Sequence, residues 1–233
     1  MKAMDRKEIK MYSDYKSPFA YLAFDPAFAL EERYCVRIRW IPFQLKIKGK
    51  GERSTYSEYK AKYSYLDARR WAQPRGLVIR GPLKVYDTTP ALIGGLFADT
   101  QERLLDYSRK VYELFFRREL EADQPDAVAS VIVELGMSAE EYRKYLTGSG
   151  AEAYQDAQEE AASDHVFGVP LLIFEGEPFW GHDRLPLLEQ RLTEQGLAIS
   201  RSPCGLPCTR HEHPNLTASS VAPTRRISRL GTK

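Results

Sequence analysis

Cysteine is scarce in this chain: Cys35, Cys204 and Cys208 are the three present in 233 residues. An odd number, with two crowded into the tail, implies no disulfide framework for the body and fits a reducing compartment. Long apolar runs are missing too. The opening MKAMDRKEIK is charged throughout, so neither a signal peptide nor a membrane anchor can be read there, and the cytoplasm is the expectation. A strong excess of one charge is also lacking. Residues 198–233 hold six Lys or Arg against Glu212 alone, which leaves residues 1–197 with 28 basic and 31 acidic side chains. That mildly acidic balance suggests no nucleic-acid surface.

What is there is enough for a sizeable core, with 43% hydrophobic residues and a length suited to one domain or a small domain carrying an insertion. Residues 8–13 alternate, with Ile9 and Met11 on one side. Ser17-Pro18 then supplies an N-cap and a proline at the first helical position. The helix that follows is expected to kink or restart at Pro26. Residues 36–40 alternate again, completing a βαβ unit.

From about Ser54 to Asp164 the periodicity is helical, apart from an extended segment at 77–80. Ser138 with Glu141 forms a capping-box pattern, and residues 151–164 read as a further helix. Strand signals return at 171–174 and 179–180 around a Glu175-Gly176 turn, and LPLLEQRL closes as a helix. The expected organisation is an α/β domain over 8–48 and 165–197, a helical insertion over 49–164, and a disordered basic tail over 198–233. In that tail Cys204, Cys208, His211 and His213 have zinc-ligand types, but His211-Glu212-His213 is too tight for the usual histidine pair and no metal is expected.

The stretch SDYKSPFAYLAF places a hydroxyl, Ser17, where strand passes into helix. Its ordinary role is to cap a free backbone N–H. A helix start also carries about half a positive charge and favours an anion, a thiolate included. The chain supplies no cysteine at this turn, so any sulfur acting there must arrive on a ligand. Lys16 next door adds positive potential or is simply solvated.

SDYKSPFAYLA resembles the opening of the 2-hydroxychromene-2-carboxylate isomerases and kappa-class glutathione transferases, relatives of the DsbA-like disulfide oxidoreductases. HVFGVPLLIFEGEPFWGHDRLPLLEQRL is similar to the closing half of that family, and KAKYSYLDARRWAQPRGL to its helical insertion. The resemblance spans residues 9–197. It implies a thioredoxin-like fold, a mixed four-stranded sheet with a large all-helical insertion, and glutathione as cofactor or co-substrate.

Residue by residue, it implies that the Ser17 hydroxyl hydrogen-bonds the glutathione sulfur. Val169-Pro170 matches the cis-proline segment, with Val169 backbone groups pairing the cysteinyl unit. His182 and Asp183 fall on the site for the γ-glutamyl end, Asp183 serving equally as a helix N-cap, and Lys60 matches a lysine near the tripeptide. One of Tyr56, Tyr59, Tyr63 and Tyr65 could meet the acceptor, as could Trp71, Phe97, Phe115 or Phe116, most of which are expected in the core. Two departures stand out: the loop KIKGKGERS holds no asparagine where relatives commonly carry one, and Phe19-Ala20 replaces the second half of any CxxC. The expected function is a glutathione-dependent isomerase or transferase acting on a small aromatic or conjugated molecule. A non-catalytic peptide-binding module and an oxidoreductase that has lost its CxxC stay open as alternatives. Oligomeric state is open as well, a homodimer being common among the relatives.

Overall fold

The structure, a computed structural model, describes residues 6–47 and 54–199. The expectations for residues 200–233, and most of the KIKGKGERS loop, lie outside them. The chain runs β1 (Lys7–Ser13), α1 (Pro18–Phe28), α2 (Leu30–Arg33) and β2 (Val36–Pro42). Then come α3 (Thr55–Ala72), α4 (Thr89–Thr100), α5 (Leu104–Arg117), α6 (Pro125–Glu134), α7 (Ala139–Thr147) and α8 (Ser149–Ser163). It closes with β3 (Leu171–Phe174), β4 (Glu177–Trp180) and α9 (Leu185–Glu194). The four strands form one mixed sheet in the order β2-β1-β3-β4, with β1 parallel to β2 and antiparallel to β3. This is the thioredoxin-like arrangement, with its helical insertion between β2 and β3.

Side chains of β1 alternate between two layers, as strand geometry requires. Ile9 and Met11 join the larger core with α1 and α9, while Tyr12 packs with Ile41, Leu171 and Ala157 and Ala161 of α8. The β3–β4 turn uses Glu175 and Gly176, both at positive φ, which matches the twist of a two-residue hairpin. Among the described residues no helix is long and apolar enough to cross a membrane.

Pro26 does not end α1. A proline leaves the carbonyl four residues earlier without its helical donor, and Arg75 Nη1 donates to that Leu22 oxygen at 2.6 Å. The helix therefore runs to Phe28 and breaks at Ala29. Residues 77–80 form no strand, although Arg80 N–H donates to Phe116 O at 2.9 Å. Ser138 caps α7 by accepting from Glu141 N–H at 3.2 Å.

Candidate active site

The C-terminal end of β1 opens into a cleft of about 830 Å³. Ser17, at φ −89° and ψ 115°, is the N-cap of α1, and Pro18 follows at the first helical position, where its missing N–H costs nothing. Ser17 Oγ accepts from Ala20 N–H at 3.2 Å and donates to Val169 O at 3.1 Å. The residue is only 4% exposed. Both capacities of its hydroxyl are thus engaged, one within the helix and one across to the Val169-Pro170 segment, whose peptide bond is cis.

Lys16 is buried rather than solvated. Its Nζ pairs with Asp14 Oδ2 at 3.2 Å and lies 3.4 Å from Tyr86 O and from Thr88 Oγ1. Asp14, fully buried, also accepts from Thr88 Oγ1 at 2.6 Å and from Leu45 N–H at 2.8 Å. Burial pushes its carboxyl above the usual aspartate range, against the pull of Lys16. Asp14 therefore ties the turn before α1 to the segments after β2 and before α4.

The cleft brings Ser17, Lys60 and Val169 together, along with Lys16, Lys46 and Lys84. Lys84 is engaged with Glu121 at 3.2 Å and Asp123 at 2.9 Å, whereas among the described residues no carboxylate pairs with Lys46 or Lys60. Pro170, His182 and Asp183 are not among the residues lining the cleft. His182 stacks on Phe19, with ring centres 5.3 Å apart, and meets Trp71 edge-on at 5.0 Å. Its Nε2 is buried without a hydrogen-bond partner, and burial lowers its pKa, keeping the ring neutral. Asp183 sits in a short 3-10 turn ahead of α9 and pairs with Arg184 at 2.9 Å; it makes no helix-capping bond. Gly181, two residues earlier, adopts φ 106°, a backbone conformation that favours glycine.

The apolar wall came from residues the sequence reading did not single out. Phe167 and Trp180 line the cleft 66% and 53% exposed, with ring centres 4.9 Å apart, and exposed Leu83 lines it too. Gly168 lets them approach: a Cβ there would fall 2.9 Å from Trp180 Nε1. The sheet register pairs Trp180 with Leu171, beside Pro170, and only that pairing could have revealed its position. Phe97, Phe115 and Phe116 are core residues, while Trp71 is exposed against His182. Tyr59 and Tyr63 point to solvent, and Tyr65 lines the cleft.

Residues 8–193 match the family described as DSBA-like thioredoxin domain. The chain is similar to a 2-hydroxychromene-2-carboxylate isomerase of Pseudomonas putida, 29% identical over 82% of this chain and 98% of that protein. Its fold is similar to a solved 2-hydroxychromene-2-carboxylate isomerase, with a TM-score of 0.68 at 23% identity over 81% of this chain and 96% of the other. It is also similar to the cytosolic disulfide reductase DsbM from Pseudomonas aeruginosa with GSH, with a TM-score of 0.56 at 14% identity over 80% and 99%.

Proposed function

The chain belongs to the family of DSBA-like thioredoxin domains, and from that premise we propose that it is a glutathione-dependent isomerase or transferase of a small aromatic or conjugated molecule. The isomerase part of this reading is supported by relatives named 2-hydroxychromene-2-carboxylate isomerase. One observation carries this reading. A single cleft holds an alcohol at a helix N-terminus and lysine side chains, with no cysteine among its described lining residues.

The donor set fits glutathione, a tripeptide with two carboxylates and a thiol. Lys46 and Lys60 suit carboxylates, the Val169 backbone suits an extended amide, and the start of α1 suits a negative sulfur. When bound, glutathione supplies the nucleophile the cleft lacks, a thiolate that adds to a conjugated carbon and leaves after rotation about the former double bond.

Ser17 has one proton, now directed to Val169 O. Donation to sulfur requires that proton to turn away from the carbonyl. The freed carbonyl would then be open to an amide N–H of an extended ligand, which would replace the lost bond. Asp14 neutralises Lys16, which leaves the helix start and the Lys46 and Lys60 ammonium groups as the attractive field. His182, neutral and with an unpaired Nε2, and Asp183 would serve the γ-glutamyl end, behind Phe19.

Thiol–disulfide exchange within the chain has little to work with at this turn, where Phe19-Ala20 stands in place of a second cysteine. The exposed Phe167 and Trp180 beside Val169 do favour a second reading, an apolar peptide groove. Calorimetry separates the two: saturable glutathione binding supports the enzyme, and peptide binding without it supports the module. The mechanism itself is tested by following thiolate ultraviolet absorbance of bound glutathione against pH. Ser17→Ala removes one charge-assisted hydrogen bond of ~1.5–3 kcal/mol, so the thiol pKa should rise by about 1–2 units. An unchanged value overturns the role of Ser17.

A further inference from the structure

Three stretches of the cleft wall are far apart in sequence: residues 16–19, residues 45–47 and residues 82–86. All three are tied to one side chain. Asp14 Oδ1 accepts from Lys16 N–H at 3.2 Å and, just past the third stretch, from Thr88 Oγ1 at 2.6 Å. Its Oδ2 accepts from Leu45 N–H at 2.8 Å and pairs with Lys16 Nζ at 3.2 Å. Every partner donates, so a carboxylate accepting on both oxygens serves them all. Asp14 itself is fully buried and is not among the residues lining the cleft. Its reach to a ligand is through what it holds.

The second stretch depends on it most. Phe43 N–H donates to Ser13 O at 2.8 Å, Gln44 N–H to Gln158 Oε1 at 3.1 Å and Leu45 N–H to Asp14 Oδ2. Lys46 comes next, exposed, lining the cleft and without a carboxylate pair among the described residues. The Asp14 bond is therefore the last of three successive anchors before the residue that carries the ammonium. A lysine on a backbone already fixed receives an anion without ordering that backbone first, a cost that otherwise falls on the ligand.

We propose that Asp14 is a positioning residue for glutathione: by holding Leu45 N–H it fixes the backbone beside Lys46, so that the ammonium is placed for a ligand carboxylate before the ligand arrives. The inference rests on the glutathione reading above. Charge alone predicts the opposite sign. An anion beneath the cleft repels an anionic ligand, so its removal as a charge would tighten binding, whereas its removal as an anchor weakens binding.

The test is calorimetric titration with glutathione of the full chain carrying Asp14→Ala with Lys16→Met, a replacement that leaves net charge unchanged and strands no buried ion. Affinity should fall about tenfold, on the order of the cost of ordering one residue. In the Lys46→Ala background the same double change should cost less than about twofold, because no ammonium is left to place. The thiol pKa of bound glutathione, which reports the start of α1, should not follow Ser17→Ala upward. In the wild type, hydrogen exchange should find Leu45 N–H protected without ligand and little changed by saturating glutathione; if the double variant does not fold, that measurement decides. Unchanged or tighter binding by the double variant overturns this inference alone. So does a loss undiminished in the Lys46→Ala background, a thiol pKa raised as in Ser17→Ala, or a Leu45 N–H protected only once glutathione is bound. If the wild type binds no glutathione, the glutathione reading falls and takes this one with it.

Discussion

The two ends of β1 hold opposite chemistry. At the N-terminal end Lys7 N–H donates to the carbonyl of Cys35, and the surrounding charges are exposed pairs, Lys7 with Glu175 and Arg33 with Glu189. At the other end, about six residues or ~20 Å along the strand, the charges are inside. The buried serine, threonine and charged side chains of the described chain are Ser13, Asp14, Lys16, Ser17, Thr88 and Ser108. Four lie in residues 13–17, Thr88 bonds Asp14, and Ser108 bonds Tyr15 at 2.8 Å. One end has a thiol among exposed charges; the other has an alcohol buried at the mouth of a cleft. What distinguishes a site here is buried polarity held at a helix start, not the presence of a reactive atom.

The largest expected break in that contrast comes from Asp14→Ala. It strands Lys16 in a nearly dry setting, and loss of one partner from a buried pair costs ~3–5 kcal/mol. Urea unfolding measures it as a lower midpoint. Asp14→Ala with Lys16→Met should cost clearly less than the single change, because an apolar replacement removes the stranded charge. A double variant as unstable as the sum of both singles would show that the pair is not the relevant unit.

That buried pair also shows where sequence reading stops. The strands, the Ser17-Pro18 helix start and the Ser138 cap were legible because alternation and capping residues are local signals. Lys16 was not, since its counter-ion sits two residues back in an aperiodic turn and its other partners, Tyr86 and Thr88, are about seventy residues away. Ser17, Lys60 and Val169 do meet at one cleft, while His182 and Asp183 stand behind Phe19 or in solvent, a placement set by the positive φ at Gly181 and by ring stacking. Phe167 and Trp180 escaped because Trp180 is placed by strand register and Phe167 by its ring contact with Trp180.

The contrast sharpens if a thiol is moved to the polar end. In Ser17→Cys the new sulfur caps α1, and the helix start should lower its pKa by roughly one unit or more from 8.5. Alkylation with iodoacetamide at a series of pH values, read at residue 17 by mass spectrometry, gives the value directly. A normal or raised pKa would mean that burial outweighs the helix field at this turn.

Acid and base should act in opposite senses on two carboxylates around the same sheet. The Arg39 guanidinium, aided by Lys10, lowers the Glu160 carboxyl from 4.5 to about 2. Between those values the unfolded chain binds the extra proton, so this contribution is present above pH 4.5 and is lost as pH falls toward 2. Asp14, raised by burial, holds a proton in the native state above its ordinary value of 3.8, so stability falls as pH rises through that window. Glu160→Gln should flatten the acid limb of a stability–pH curve and Asp14→Asn the limb above it. Identical changes in both variants would contradict the assignment.

The smallest effect is expected at the plain end of β1. Arg33 donates twice to Glu189, at 2.6 and 2.8 Å, a better geometry than that of the buried Lys16 pair. Yet Arg33 is 46% exposed, so water and salt already satisfy both partners when the bond is broken. Arg33→Ala should therefore change stability by ~1 kcal/mol or less, and that little should shrink in 1 M salt. A loss matching that of Asp14→Ala would mean that bond geometry, rather than burial, decides what an ion pair is worth in this protein, and the difference between the two ends of the strand would lose its physical basis.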